Sequence, residues 1–203
     1  MFALDHARDF DAILTAEKPF ALVRFGDGEG AIIAGIAHKA ANNEWAVGKG
    51  DTWLRTPLMR SLLQAGDGYC MGLPPGCCLR KWTDLHHRAR VPHAQRTFAT
   101  IFLHANLARV PELLDRYHPL VVGPRGEIKI PEHAVEIGCD LDAIVADLLT
   151  VDRPMVVAAG PLANILISRY WARQDPSKRQ TILDVGSALD FHQGRASRYY
   201  HRG

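Results

Sequence analysis

Short apolar runs recur along the chain, each closed by glycine or proline. Most are followed by apolar residues at three- and four-residue spacing, a pattern that predicts strands feeding helices. Phe20 to Phe25 predicts the first buried strand. The loop Gly26 to Gly30 follows it, and Ala31 to Ala37 predicts a helix. Tyr69 to Leu73, Leu120 to Val122, Pro154 to Ala159 and Thr181 to Val185 predict further strands. Thr97 to Leu103 is β-branched and aromatic and predicts another, with a helix as the alternative because an apolar run alone does not decide.

The helical stretches carry their own punctuation. Leu4, Ala7, Phe10 and Leu14 give Leu4 to Glu17 one apolar face, and Lys18-Pro19 stops it. Leu58, Leu62 and Leu63 predict the core face of a second helix. Thr56 is its expected cap, because Pro57 then stands at the first helical position. An earlier start would put Pro57 inside the helix and kink it. Pro111 opens a short helix reaching Tyr117. Asp140 caps one whose core face is Leu141, Ile144, Val145 and Leu148, and Gly160-Pro161 opens Leu162 to Trp171. Leu79 to Arg96 is basic and rich in histidine and reads as helical in part. Asn42-Asn43 and Gly48-Lys49-Gly50 mark loops. With no internal repeat or low-complexity linker, residues 1–203 read as one α/β domain, a mostly parallel sheet with helices on both faces.

Composition narrows the class. Of 203 residues, 47% are hydrophobic, and 24 basic against 22 acidic side chains leave a net charge of +2. That balance excludes a bulk electrostatic nucleic-acid binder. No apolar run approaches the roughly 18–20 residues of a membrane span. The mixed, acidic start does not resemble a signal peptide, so a cytoplasmic location is expected. Cys70, Cys77, Cys78 and Cys139 match neither a zinc pattern nor a disulfide framework and read as reduced. The histidines form no ligand motif.

Candidate chemistry gathers at strand ends. Asp27 and Glu29 stand two apart with Gly28 between, directly after a core strand. Glycine would let the backbone bend so that both carboxylates meet one cation. Hard oxygen ligands select Mg2+ or Mn2+; a solvated Asp-Gly turn is the competing reading. Arg24, inside an apolar strand, needs a partner: an internal carboxylate, or a substrate phosphate met through its fork. The Gly160-Pro161 turn is either an ordinary tight turn or a helix N-terminus offered to a phosphate or a nucleotide hydroxyl, and Asn164 stands one turn further on. Asp184 ends the last strand, at the metal-loop edge if the strands are parallel, or else caps its turn. Ser187 and Asp190 follow, and Asp190 is a candidate base or a second acidic contact.

Three of these stretches together are similar to the GT-D-type glycosyltransferases: Arg24-Phe25-Gly26-Asp27-Gly28-Glu29, Gly160-Pro161, and Asp184-Val185-Gly186-Ser187-Ala188-Leu189-Asp190. The resemblance spans roughly Phe20 to Asp190. It implies a Rossmann-like fold and transfer of a sugar, expected to be a hexose, from a nucleotide-diphosphate donor such as a UDP-sugar. The acceptor would be a hydroxyl on a glycan or another molecule. The family's Asp-X-Glu motif, with Mn2+, falls on Asp27 and Glu29. Arg24, Gly26, Gly28, Gly160, Pro161, Asn164, Asp184 and Ser187 are then expected to line the donor site. The better-known relatives carry a more acidic segment after the last strand, where this chain offers Asp190.

Two other functions fit the residues. An AdoMet-dependent methyltransferase would use the glycine-ended strands at Gly123 and Gly160. A non-catalytic nucleotide-sugar-binding protein would keep Asp27 and Glu29 for binding alone.

Overall fold

The computed structural model describes residues 18–40, 45–50, 52–64, 66–73, 96–98 and 110–189, the side chains of 73, 96–98, 110–113 and 188 excepted. Seven strands form one sheet: β1 (Ala21–Arg24), β4 (Tyr69–Leu73), β5 (Arg96–Phe98), β6 (Leu120–Gly123), β7 (Ile128–Lys129), β8 (Met155–Val157) and β9 (Ile182–Asp184). Their order is β5-β4-β1-β9-β8-β6-β7, and every pairing is parallel. The fold is α/β and Rossmann-like. The expected helix over Leu4 to Glu17, the histidine-rich stretch up to Gln95, and Ala99 to Leu103 lie outside the described residues.

Alternation along the strands explains the two covered faces. Ala21 and Val23 of β1 join the main core with Met155 and Val157 of β8, while Leu22, Val156 and Leu183 are equally buried on the other side. Apolar residues at every strand position are what a parallel sheet covered on both faces requires. Helices α1 (Asp27–Ala34), α2 (Arg55–Leu63), α5 (Leu141–Leu148) and α6 (Pro161–Arg173) pack in a row, with α6 central against β1 and β9. From Pro161 to Ser168 every residue of α6 is buried. Two further α-helices, α3 (Val110–Tyr117) and the four-residue α4 (Ala134–Ile137), complete the described set.

Three boundaries differ from expectation. The Gly26–Gly30 stretch is not a loop: α1 begins at Asp27, and Gly30 N–H already bonds the Gly26 carbonyl at 3.1 Å. Its two acids sit in the first turn, where the helix dipole favours negative charge. The helix stops at Gly35, at φ 69° and ψ 27°, with Gly35 N–H on the Ile32 carbonyl and Ile36 N–H on that of Ala31. In α2 the cap is Leu54 and not Thr56, so Pro57 is the third helical residue. No kink follows, because the first-turn N–H groups have no intrahelical acceptor and proline loses nothing there. Leu63 is 53% exposed and leaves the core to Leu58 and Leu62.

The cap at Asp140 and its apolar face are as expected: its Oδ1 accepts from Asp142 and Ala143 N–H at 3.1 and 3.0 Å, and Leu141, Ile144, Val145 and Leu148 are buried. Outside the large sheet, β2 (His38–Lys39) and β3 (Ala46–Val47) form an antiparallel hairpin that no sequence period announces. Strands of two residues carry too little alternation to read.

Candidate functional site

The order of the strands fixes where a ligand belongs. From β1 the chain moves outward to β4 and β5, then returns on the other side through β6, β7, β8 and β9, so β1 and β9 are neighbours. Their carboxyl ends adjoin in the middle of the sheet, and open α/β sheets bind ligands outside the carboxyl ends of their strands. The tips bring Arg24 and Asp184 together.

Arg24 Nε lies 3.5 Å from Asp184 Oδ2, and Nη2 lies 3.5 Å from Oδ1. The pair is loose, and Nε makes no hydrogen bond although it is buried. Asp184 Oδ1 also accepts the Gly186 N–H at 2.9 Å. Asp184 therefore caps its turn and also pairs with Arg24. Burial pushes its carboxyl pKa up, and Arg24 pulls it partly back. Gly186 has φ +52°, and the guanidinium rests where its β-carbon would be. Ser187 follows, half-buried in the 3-10 turn Gly186–Leu189. Asp190 lies outside the described residues.

Glu29 and Asp27 have different surroundings. Glu29 is half-buried, but its carboxyl end turns inward, and Oε2 accepts the Gly26 N–H at 2.7 Å. This is half of a capping box, since glycine lacks the side chain for the other half. Burial pushes the Glu29 pKa up to about 7, the Asp184 charge adds to it, and the backbone bonds and Arg24 oppose it. Asp27 is exposed, and its Oδ1 accepts the Gly28 N–H at 3.0 Å.

Gly28 is no hinge that converges two carboxylates. It is helical, and residues two apart on a helix do not face each other. Both side chains reach the same end of α1 because helical Cβ atoms tilt toward the N-terminus. Glycine is required at 28 for another reason: a β-carbon there would lie 2.5 Å from Trp45 Cη2 and 3.3 Å from His38 Nε2.

Among the described residues no group of three or more His, Cys, Asp or Glu side chains is placed to hold a metal ion. Asp27 and Glu29 still fit a small hard cation. They are oxygen donors, Glu29 is a desolvated carboxylate beside a second negative group, and Mg2+-type ions use one or two carboxylates with water and phosphate oxygens.

The Gly160-Pro161 turn is less open to an anion than its sequence suggests. Pro161 has no N–H, and Leu162 and Ala163 N–H already bond the Ala159 and Gly160 carbonyls at 3.2 and 3.0 Å. Asn164 is wholly buried, and its amide donates to the Arg24 carbonyl at 2.7 Å. The contact expected with a ligand goes instead to the strand that carries Arg24.

The residue that sequence reasoning missed is Trp45, just before β3. Its six-membered ring meets Gly28, and its Nε1 would lie 3.0 Å from a β-carbon at Gly160. His38 packs beside it, ring centroids 5.3 Å apart. An aromatic residue in a polar, glycine-rich loop was the available signal.

No family model and no curated protein matches the chain. It is similar to a solved structure of the highly conserved domain of unknown function 1792, described as having a distinct glycosyltransferase fold. The identity is 15%, the TM-score 0.49, and the match covers 87% of this chain and 76% of that one. No described helix is long and apolar enough to cross a membrane.

Proposed function

We propose that the protein is a metal-dependent glycosyltransferase that moves a sugar, a hexose in this reading, from a nucleotide-diphosphate donor to an acceptor hydroxyl. One observation carries it: where the carboxyl ends of β1 and β9 adjoin, the carboxylates of Asp27 and Glu29 open α1 beside the Arg24–Asp184 pair. A phosphate-bearing ligand at this place needs positive charge, and among the described residues Arg24 stands at the end of β1. Asp184 and Gly186 hold its guanidinium at the ends of β1 and β9, and the Asn164 amide fixes its backbone.

Asp27 and Glu29 would hold Mn2+ or Mg2+, which supplies neutralisation of the charge that develops on the leaving nucleoside diphosphate. Glu29 must be ionised to do so, and Gly26 N–H orients it. Asp190, six residues past Asp184 in the sequence, is our assignment for the base that takes the acceptor proton. A UDP-sugar donor, a glycan acceptor and a cytoplasmic location belong to the same proposal.

The test is a panel of nucleotide sugars with Mn2+, reading released nucleoside diphosphate. Turnover with at least one donor, lost when the ion is chelated, is the expected result. A flat response across the panel sinks the proposal.

A further inference from the structure

The geometry points to Trp45 as the platform on which the base of the bound nucleotide stacks; we infer this on the strength of the donor reading above. One indole spans two strand ends. Its six-membered ring lies against Gly28, beyond β1, and its Nε1 edge lies against Gly160, beyond β8. Between β1 and β8 stands β9, whose own end carries Asp184 and Gly186. The ring therefore lies at the carboxyl edge of the sheet, where β1 ends at Arg24 and α1 begins with Asp27 and Glu29.

Both flanking positions are shaped to this ring. A β-carbon at Gly28 would meet Cη2 at 2.5 Å and Cζ2 at 2.9 Å; one at Gly160 would meet Nε1 at 3.0 Å and Cδ1 at 3.5 Å. The ring is anchored from behind by its own hairpin. Ala40 N–H bonds the Trp45 carbonyl at 3.0 Å, and Ala46 N–H bonds Glu136 Oε1 of α4 at 3.0 Å. His38, tilted by 39°, steadies it.

The other two described tryptophans show what a structural indole does here. Trp53 Nε1 donates to the Val135 carbonyl at 3.1 Å, and Trp171 Nε1 donates to that of Asp67 at 3.3 Å. Trp171 also lies under the Arg179 guanidinium, 4.6 Å from its centroid. Trp45 remains half-buried, and among the described residues its indole N–H has no acceptor. A half-buried aromatic ring beside the place proposed for a diphosphate matches a flat nucleobase. Every base has a π-face, so stacking alone gives affinity with little choice among bases.

Calorimetry on the full chain with Mn2+ separates this role from simple wedging between two helices. The probes are UDP, ADP and GDP against inorganic pyrophosphate, with wild type, Trp45→Phe and Trp45→Leu. Trp45→Leu should weaken the nucleoside diphosphates about tenfold, the scale of one lost stacking contact, and leave pyrophosphate unchanged. Trp45→Phe should keep most of the affinity, which guards against a leucine variant that fails to fold. Nucleotide should also quench tryptophan fluorescence in wild type and lose that quench in Trp45→Phe. Equal weakening of pyrophosphate and nucleotides, or an unchanged quench, overturns the platform and leaves the donor reading standing. A wild type that binds no nucleoside diphosphate overturns both.

Discussion

Arg24 and Gly186 share one space: a β-carbon at Gly186 would lie 1.7 Å from Arg24 Nη2. The strand end of β1 and the turn after β9 are thus fitted to each other, and the glycine backbone at φ +52° takes a conformation that side chains disfavour.

Gly186→Ala should therefore push the guanidinium off Asp184 and strain the turn. The expected loss is about 2–4 kcal/mol, from the left-handed backbone and the partly broken buried pair. In a chain of this size that lowers the melting temperature by roughly 5–15 °C. An unchanged melting curve would mean that Arg24 has room elsewhere.

Glu29 gives a pH signature. Its pKa is about 7 in the folded protein against an ordinary 4.5, so the folded state holds the proton more tightly than the unfolded chain. Its contribution to stability is complete below about 4.5, falls as the pH rises toward 7, and is level above that. The stability of wild type relative to Glu29→Gln should follow that course in unfolding measurements without metal. A difference that does not change with pH contradicts a desolvated Glu29.

Asn164 should behave as a strut. Asn164→Leu removes the bond to the Arg24 carbonyl and should cost about 1–3 kcal/mol of stability. In the proposed reaction the donor KM should stay close to wild type. A raised KM with unchanged stability would assign Asn164 to the donor instead.

Much of this arrangement is legible in the sequence because local rules govern it. Apolar runs closed by glycine or proline mark β1, β4, β6, β8 and β9, and Asp140 and Pro161 mark two helix starts. Parallel strands then place the strand ends at one edge, which is why Asp184 is expected beside the stretch that carries Asp27 and Glu29. What local rules miss depends on contacts distant in the chain. Gly28 and Gly30 look like loop residues, yet Glu29 and the core residues Ile32 and Ile33 draw them into α1. Trp45 acquires meaning only when Gly28 and Gly160, 132 residues apart, close on it. Asn164 looked available until the sheet buried it.

Asp27 tests the central claim with the least disturbance to the fold, because it is exposed and its described contact is with its neighbour's N–H. Asp27→Ala should leave the melting temperature within about 2 °C of wild type. The decisive measurement is the free Mn2+ signal by electron paramagnetic resonance with UDP present. Wild type should deplete that signal and Asp27→Ala should not; equal depletion by both proteins would contradict the placement of the ion at the start of α1.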